Sequence, residues 1–225
     1  MRNITYLLSN FNKMSDLLQG VDAIIFDFGN VLIDLDYPRI IQEFKKVATK
    51  NQENIRKLVM DSKVVTKFET SEIGPDHFRS AVNQILGTKL NEDDFDVLWN
   101  SMLKSITRER MAKVEQISQK FDTYLLSNSN IIHELAFEEM VMAATRKPSI
   151  RDFFKEAYFS HELGMRKPNK DIYEYVVEDI DNYPSRMLFL DDRLDNIEAA
   201  RSIGMKAVQI FNPDKQLNEI FGLGK

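Results

Sequence analysis

The chain of 225 residues is long enough for one large domain, or for one domain that carries a smaller inserted module. Its 43% hydrophobic and 29% charged residues are typical of a globular protein and not of a disordered one. The net charge of -5 argues against nucleic acid as a partner, and the lack of cysteine excludes disulfides, thiolate metal sites and a cysteine nucleophile.

The sequence pattern of residues 1–20 predicts a short amphipathic helix, because apolar residues recur at helical spacing at Leu7, Phe11, Met14 and Leu18. Polar residues interrupt this segment, so it holds no apolar run long enough for a secretory signal or a membrane span. We expect a helical extension that packs on the surface of the domain, no membrane partner, and a cytoplasmic location.

Three apolar runs predict strands that are covered on both faces, because their residues do not alternate between apolar and polar. These runs lie at Ala23–Phe26, 124–126 and 187–190, with weaker strand patterns at 157–159 and 207–210. The helical patterns between them lie at 130–144, 170–178 and 195–203. Strands that alternate with helices predict an α/β fold, a Rossmann-like doubly wound parallel sheet.

The segment 37–119 has a different sequence pattern, with no convincing core strand. Its helical patterns lie at 39–49, 53–60, 64–70, 75–86, 92–104 and 108–120. We therefore predict a catalytic core of residues 21–36 and 120–225, with a helical cap inserted at 37–119. An insertion after the first strand lies above that strand's carboxyl end, where it can act as a lid.

Polar residues follow the main strands at the edge where ligands bind in parallel sheets. Asp27 follows the first strand, Ser127 and Asn128 follow the second, and the pair Asp191 and Asp192 follows the third. Each feature alone is more typical of a turn, a helix cap or a solvated charge. Together they supply the nucleophile, acidic ligands and hydrogen-bond donors that a phosphoryl-transfer site needs.

Four short motifs, in order along the chain, resemble those of the haloacid dehalogenase-like hydrolase superfamily. They are FDFGNVL at 26–32, LSNS at 126–129, LGMRKP at 163–168 and FLDDRLDNIEAA at 189–200. The resemblance covers about residues 21–211 and includes a helical cap between the first and second motifs. Within the family, the chain looks most like the sugar-phosphate phosphatases that act on α-glucose 1-phosphate.

The resemblance implies a Mg²⁺-dependent phosphatase in which Asp27 attacks phosphorus and forms an aspartyl-phosphate that water hydrolyses. It implies that the Asp27 carboxylate, the Gly29 carbonyl and Asp192 hold Mg²⁺, which prefers oxygen ligands. The expected partner is a small phosphorylated metabolite, and the expected state is a monomer or a homodimer.

The resemblance also assigns the groups that bind phosphate. Ser127 and the backbone amide of Asn128 are expected to hold the phosphate oxygens. Lys167, in the third motif, is expected to balance the negative charge beside Asp27 and to keep that carboxylate ionised.

Gly29 departs from the family pattern, because most phosphatases of the family have a second Asp there as general acid and base. Such a group is typically worth roughly 10²–10⁴-fold in rate. Three explanations stay open. A metal-bound water or a nearby carboxylate, Asp34 or Asp36, takes over the role; the leaving group departs easily, as from an anomeric phosphate; or the chain is inactive or is not a phosphatase.

The fourth motif departs as well. Asp191 stands where many relatives have Gly or Ser, and Asn196 stands where many have a second acid. The motif therefore leaves open which of Asp191 and Asp192 binds the metal. Asn196 is expected to orient a metal-bound water or a ligand carboxylate.

Two other functions compete with a phosphatase. One is a non-catalytic protein that binds a phosphorylated ligand on the same scaffold, and the other is a metal-independent dehalogenase. Gly29 permits both. The acidic pair Asp191 and Asp192 disfavours a dehalogenase, whose carboxylate substrate gains nothing from further anions.

Overall fold

The computed structural model describes residues 17–224. Its strands are β1 (Ala23–Phe26), β2 (Ile33–Leu35), β3 (Leu103–Ile106), β4 (Asp122–Ser127), β5 (Glu156–Phe159), β6 (Met187–Asp191) and β7 (Lys206–Gln209). Five of them form a parallel sheet in the order β5-β4-β1-β6-β7. The predicted α/β fold with a parallel sheet is confirmed, and each predicted strand is part of that sheet.

Ten α-helices occupy the described part of the chain. They are α1 (Tyr37–Val47), α2 (Lys63–Glu69), α3 (Pro75–Leu86), α4 (Glu92–Asn100), α5 (Arg108–Ser118), α6 (Ile131–Thr145), α7 (Ser160–Leu163), α8 (Lys170–Ile180), α9 (Leu194–Ser202) and α10 (Pro213–Phe221). Short 3₁₀ segments lie at Gln52–Asn54, Ile150–Phe153 and Pro184–Arg186, and a π-helical turn lies at Arg56–Met60.

The central strand β1 shows why the sheet is covered on both faces. All four of its residues are apolar and buried. Because side chains alternate along a strand, Ile24 and Phe26 pack on one face with residues of α5, α6 and α10. Ala23 and Ile25 pack on the other face with residues of α8 and α9. This arrangement is the predicted doubly wound sheet.

Helices α1–α4 and the turns between them have a hydrophobic cluster of their own, which we call the helical module (residues 37–100). Its centre contains Phe44, Phe78, Phe95 and Trp99, all buried. The Phe78 ring lies 4.7 Å from that of Trp99 in an edge-on arrangement. The module thus packs around aromatic side chains rather than against the sheet alone.

Two parts of the predicted cap have a different structure. The helix predicted at 92–104 ends at Asn100, and Leu103–Ile106 is a strand that pairs antiparallel with Ile33–Leu35. Helix α5, predicted as part of the cap, buries Met111, Val114 and Ile117 in the cluster of the parallel sheet. These contacts favour a return to the core near residue 103, and the exact division of the chain stays a prediction.

The predicted extension at residues 1–20 falls mainly outside the described residues, since the description begins at residue 17. Leu17 and Leu18 pack against the cluster of the sheet. Between residues 17 and 224, no helix combines the length and the apolar composition needed to cross a membrane.

Candidate active site

The register of the parallel sheet brings polar residues of neighbouring strands to one edge. Phe26 of β1 lies opposite Leu125 of β4 and Leu190 of β6. The next residue after Phe26 is Asp27, whose backbone N–H donates to the Leu190 carbonyl at 2.8 Å. Asp27 therefore lies level with Asp191, at the carboxyl end of the strands where ligands bind.

Lys167 lies between the two aspartates. Its Nζ donates to Asp27 Oδ1 at 2.6 Å, to Asp191 Oδ2 at 2.8 Å and to the Leu126 carbonyl at 2.7 Å. Burial raises the pKa of Asp27 above its ordinary value, and Lys167 opposes that shift. Burial also disfavours the charge on Lys167, but Asp191 and Asp27 outweigh it and raise the lysine pKa. The lysine is thus held as a cation beside the predicted nucleophile.

Hydrogen bonds distinguish Asp191 from Asp192. Besides the lysine, Asp191 accepts from the Arg193 backbone N–H at 2.8 Å, and Asn196 Nδ2 lies 3.0 and 2.9 Å from its two oxygens. The half-buried Asp192 accepts at Oδ2 from Asn30 Nδ2 at 2.8 Å. Asp192 thus keeps more acceptor capacity toward the site, which favours it over Asp191 as a metal ligand.

Asn196 lies on α9, one helical turn after the acidic pair, and its side chain is buried. Its Nδ2 is used by Asp191, whereas its Oδ1 has no hydrogen-bond partner among residues 17–224. A buried amide oxygen beside carboxylates can accept a hydrogen bond from a metal-bound water. This geometry agrees with the orienting role expected of Asn196.

Ser127 ends strand β4 and is buried at the site edge. Asn128 fastens that strand end to the loop of the lysine. Its Nδ2 donates to the Lys167 carbonyl at 2.8 Å, and the Lys167 backbone N–H donates to Asn128 Oδ1 at 2.9 Å. The Asn128 side chain is therefore occupied by the Lys167 backbone, which leaves its own backbone amide as the group for the predicted role toward phosphate.

The backbone at Gly29 approaches another side chain closely. A Cβ at this position would lie 2.8 Å from Leu35 Cδ1 and 3.9 Å from Asp27 Oδ2. A side chain at position 29 would thus begin beside the nucleophile, in space that Leu35 occupies. Leu35 is a flexible side chain of β2, so its displacement and not a backbone clash limits substitution here.

The two carboxylates suggested as substitutes for a general acid at position 29 lie outside the cavity over Asp27. Asp34 accepts from Arg110 Nη1 at 2.7 Å and from Ser105 Oγ at 2.7 Å. Asp36 is the N-cap of α1 and accepts from the backbone N–H of Arg39 at 3.0 Å. Neither is among the described residues that line the cavity over Asp27.

A cavity of about 420 Å³ opens over the site edge. The predicted residues that line it are Asp27, Gly29, Ser127, Asn128, Lys167, Asp192 and Asn196. The sequence reasoning missed a second set of polar lining residues: Tyr37, Arg56, Glu69, His133, Arg166 and Arg193. Arg166 and Arg193 lie within two of the matched motifs, so the sequence held a signal for them. The other four lie in the module or on α6, where one sequence does not reveal which side chains face the site.

The donor set fits a hard divalent cation. Carboxylate oxygens of Asp27, Asp191 and Asp192 all lie within 4.8 Å of one another. Oxygen ligands alone, with no histidine or cysteine among them, are the set that Mg²⁺ prefers. Burial raises the pKa of Asp192, and the neighbouring charge of Asp191 adds to that shift.

Comparison with known proteins agrees with this arrangement. The family model of the haloacid dehalogenase-like hydrolases matches residues 21–204. A HAD family enzyme from Bacteroides thetaiotaomicron has a similar structure, with a TM-score of 0.82 and 28% identity over 90% of this chain and 98% of its own. Its complex with magnesium and inorganic phosphate has a TM-score of 0.74 and 30% identity, and covers 84% and 93%.

Two curated relatives differ in what they act on. The D-ribitol-5-phosphate phosphatase of Bacteroides thetaiotaomicron is 24% identical over 84% of this chain and 91% of its own. A sesquiterpene phosphatase of Aspergillus oryzae is 37% identical over 59 residues, which are 26% of this chain and 30% of its own. The family resemblance inferred from the four motifs is thus confirmed, and the relatives leave the substrate of this chain open.

Proposed function

Since the chain belongs to the haloacid dehalogenase-like hydrolase family, we propose that it is a Mg²⁺-dependent phosphomonoester hydrolase. Its nucleophile is Asp27, and its substrate is a small sugar phosphate such as a sugar 1-phosphate. The convergence of Asp27, Lys167 and Asp192 at one edge of the sheet carries the proposal. The phosphatase relatives and the phosphate complex of a similar structure support it.

Asp27 provides the attacking oxygen. As its Oδ bonds to phosphorus, the bond from phosphorus to the leaving oxygen breaks and the electron pair goes to that oxygen. The leaving oxygen takes a proton from solvent. The oxygen of a water then bonds to phosphorus as the bond from phosphorus to Asp27 Oδ breaks, which frees phosphate, returns a proton to solvent and restores Asp27. Lys167 favours the ionised carboxylate against the burial that raises its pKa, and it reduces the repulsion between Asp27 and the phosphate.

Other residues position the transferring group. The Ser127 hydroxyl and the Asn128 backbone amide donate to phosphate oxygens, where negative charge is concentrated. The Asn128 side chain, bonded to the backbone of Lys167, keeps the two loops in register. Small displacements in such a clamp reduce rate because catalysis depends on preorganised geometry.

Asp27, the Gly29 carbonyl and Asp192 are the residues that would hold the metal, and Asp191 serves the lysine. When bound, Mg²⁺ supplies positive charge to the phosphate oxygens and so favours attack by an anionic nucleophile. Asn196 Oδ1, which has no hydrogen-bond partner among residues 17–224, would accept a hydrogen bond from a water beside the carboxylates.

Gly29 argues for a leaving group that departs without much protonation. A hemiacetal oxygen leaves more easily than an ordinary alcohol oxygen, because the ring oxygen makes it less basic. The lack of a carboxylate at position 29, and the use of Asp34 and Asp36 elsewhere, therefore favour a sugar 1-phosphate.

We test the proposal by phosphate release from a panel of esters, with Mg²⁺ and with a chelator, for the wild type and Asp27→Asn. We expect Mg²⁺-dependent release that falls by at least about 10⁴-fold in the variant, the scale seen when a nucleophile is removed. Sugar 1-phosphates should be cleaved faster than 6-phosphates.

Release by Asp27→Asn at the wild-type rate would refute the nucleophile assignment. Equal rates for 1- and 6-phosphates would refute the explanation of Gly29 while leaving the phosphatase intact. If folded, Mg²⁺-loaded protein released phosphate from no ester, the proposal would fail in favour of a non-catalytic phospholigand-binding protein.

A further inference from the structure

The part of the cavity beyond the reacting groups must hold the alcohol from which phosphate is removed. Its wall is formed by the helical module and by the loop that precedes Lys167. From the module come Arg56, Asp61 and Glu69, and from the loop comes Arg166. These charged side chains decide what kind of alcohol the wall accepts.

The charges on this wall are paired with one another. Glu69 Oε2 lies 2.8 Å from Arg166 Nη2, and Arg56 Nε lies 3.8 Å from Asp61 Oδ2. No surplus cation is thus offered to a second phosphate or a carboxylate by these four side chains. A leaving group without charge suits the part of the wall at Glu69 and Arg166, whose side chains are 16% and 29% exposed, since an extra anion would be desolvated there with no free counter-charge.

Glu69 and Arg166 meet across the junction of the module and the core. Glu69 is the last residue of α2, and Arg166 directly precedes Lys167. Beside them, Ser71 Oγ donates to the His161 carbonyl at 2.5 Å, so the segment after α2 rests on α7, the helix that precedes the loop of the lysine. A ligand that binds this pair therefore touches both parts of the molecule.

The ion pair leaves hydrogen-bonding capacity unused. A guanidinium has five N–H donors and a carboxylate has two acceptor oxygens, but one nitrogen and one oxygen make the close contact. The contact between Arg166 Nη2 and Glu69 Oε2 is close but is not aligned as a hydrogen bond. Glu69 Oε2 and Arg166 Nε are therefore left without an aligned hydrogen-bond partner within residues 17–224. Burial raises the pKa of Glu69 although Arg166 lowers it, so this carboxylate is incompletely stabilised by its partner.

Neighbouring hydroxyl groups match this pair, because each hydroxyl both donates and accepts. We propose that Glu69 and Arg166 bind hydroxyl groups of an uncharged sugar leaving group, and thereby determine the specificity of the site. An isoprenoid chain would cover the same pair without offering it a single hydrogen bond, which is unfavourable for buried polar groups. This proposal rests on the proposed phosphatase function and names what that site recognises.

The test compares kcat/KM for two phosphates of equal carbon number: the polyol or sugar phosphate that wild type cleaves fastest, and the alkyl phosphate without hydroxyls. p-Nitrophenyl phosphate serves to measure phosphatase activity itself. The variants are Glu69→Gln and Arg166→Lys, which keep size and change the hydrogen-bonding groups. Glu72→Gln, an exposed carboxylate close to Glu69 in the chain, is the matched control.

We expect the ratio of hydroxylated to alkyl substrate to fall by about ten- to a hundredfold in both variants, the usual effect of losing a charged hydrogen-bond partner. Glu72→Gln should leave the ratio unchanged. Parallel losses on both substrates would overturn the proposal, because they would mean that the pair only holds the loop of Lys167. An unchanged ratio would overturn it as well.

A wild type that cleaves p-nitrophenyl phosphate but prefers alkyl to hydroxylated esters would refute the hydroxyl site and leave the phosphatase standing. A wild type that cleaves nothing would refute the phosphatase. In that case the role of Glu69 and Arg166 is tested by calorimetric binding of ribitol 5-phosphate. Weaker binding by Glu69→Gln than by wild type supports hydroxyl recognition, and equal binding refutes it.

Discussion

Two buried cations in this molecule, Lys167 and Arg110, are each held between two aspartates, yet their partners differ in exposure. The side chains of Asp27 and Asp191, beside the lysine, are 10% and 0% exposed. Those of Asp34 and Asp214, beside the arginine, are 36% and 57% exposed. A carboxylate that water reaches keeps its charge unaided, whereas a buried one depends on its cation.

Arg110 and Lys167 therefore have different roles in the molecule. Arg110 of α5 joins Asp34 on β2 to Asp214 on α10, so it fastens surface elements together. Lys167 sets the charge of two carboxylates that would otherwise be buried without compensation. The exposure of the partners, and not the burial of the cation, separates the pair at the proposed active site from the pair that joins surface elements.

Removing Lys167 should have the largest effect. Lys167→Met leaves Asp27 and Asp191 buried without a counter-charge, and we expect a loss of about 3–5 kcal/mol in the free energy of unfolding. Urea unfolding in the presence of a chelator measures this loss. The double variant Lys167→Met with Asp27→Asn should recover part of it, because one buried charge is then gone. A double variant no more stable than the single one would contradict this account.

Removing the structural cation should cost less. Arg110→Met leaves two aspartates that reach water, so we expect a loss of about 1–3 kcal/mol from lost hydrogen bonds and packing. The same urea titration provides the measurement, and phosphate release should change little because Arg110 lies outside the cavity lining. A loss equal to that of Lys167→Met would show that partner exposure does not separate the two pairs.

Much of the site follows from simple rules about parallel sheets. The apolar runs before Asp27, Ser127 and Asp191 indicate buried strands, and parallel strands bring their carboxyl ends to one edge. That reasoning predicted which residues meet without any knowledge of side-chain geometry. The hydrogen bonds that favour Asp192 over Asp191 could not be predicted, because adjacent residues of one strand end differ only in where their side chains point.

Other features depend on contacts between residues far apart in the chain. The start of strand β3 was predicted as the end of a helix. Its partner β2 lies about 70 residues earlier in the chain, and local sequence propensity carries no information about such a distant partner. Glu69 was missed for a similar reason. A charged residue at the end of a helix is normally solvated, and only the fold brings it against Arg166.

His133 extends the comparison to a buried base that has no aspartate beside it. Its ring stacks on Trp99 with centroids 5.1 Å apart, and its Nδ1 lies 2.8 Å from Asn100 Oδ1. The neighbour is thus a neutral amide, in contrast to the carboxylates around Lys167. Burial alone lowers the pKa of His133 to about 3, so this side chain stays neutral where the lysine stays charged.

The smallest expected effect is a pH dependence of stability that originates at His133. Unfolded His133 binds a proton below about pH 6.5 and the folded residue does not, so its contribution is complete above that pH. It is lost as pH falls toward 3, by up to about 1.4 kcal/mol per pH unit. His133→Gln should therefore lose less stability between pH 7 and 5 than wild type, measured by urea unfolding. His77→Gln, at an exposed histidine of α3, is the control and should retain the wild-type slope of unfolding free energy against pH. Equal slopes for all three proteins would mean that His133 takes up a proton in the folded state. Burial without a neighbouring carboxylate would then not keep a base neutral in this molecule.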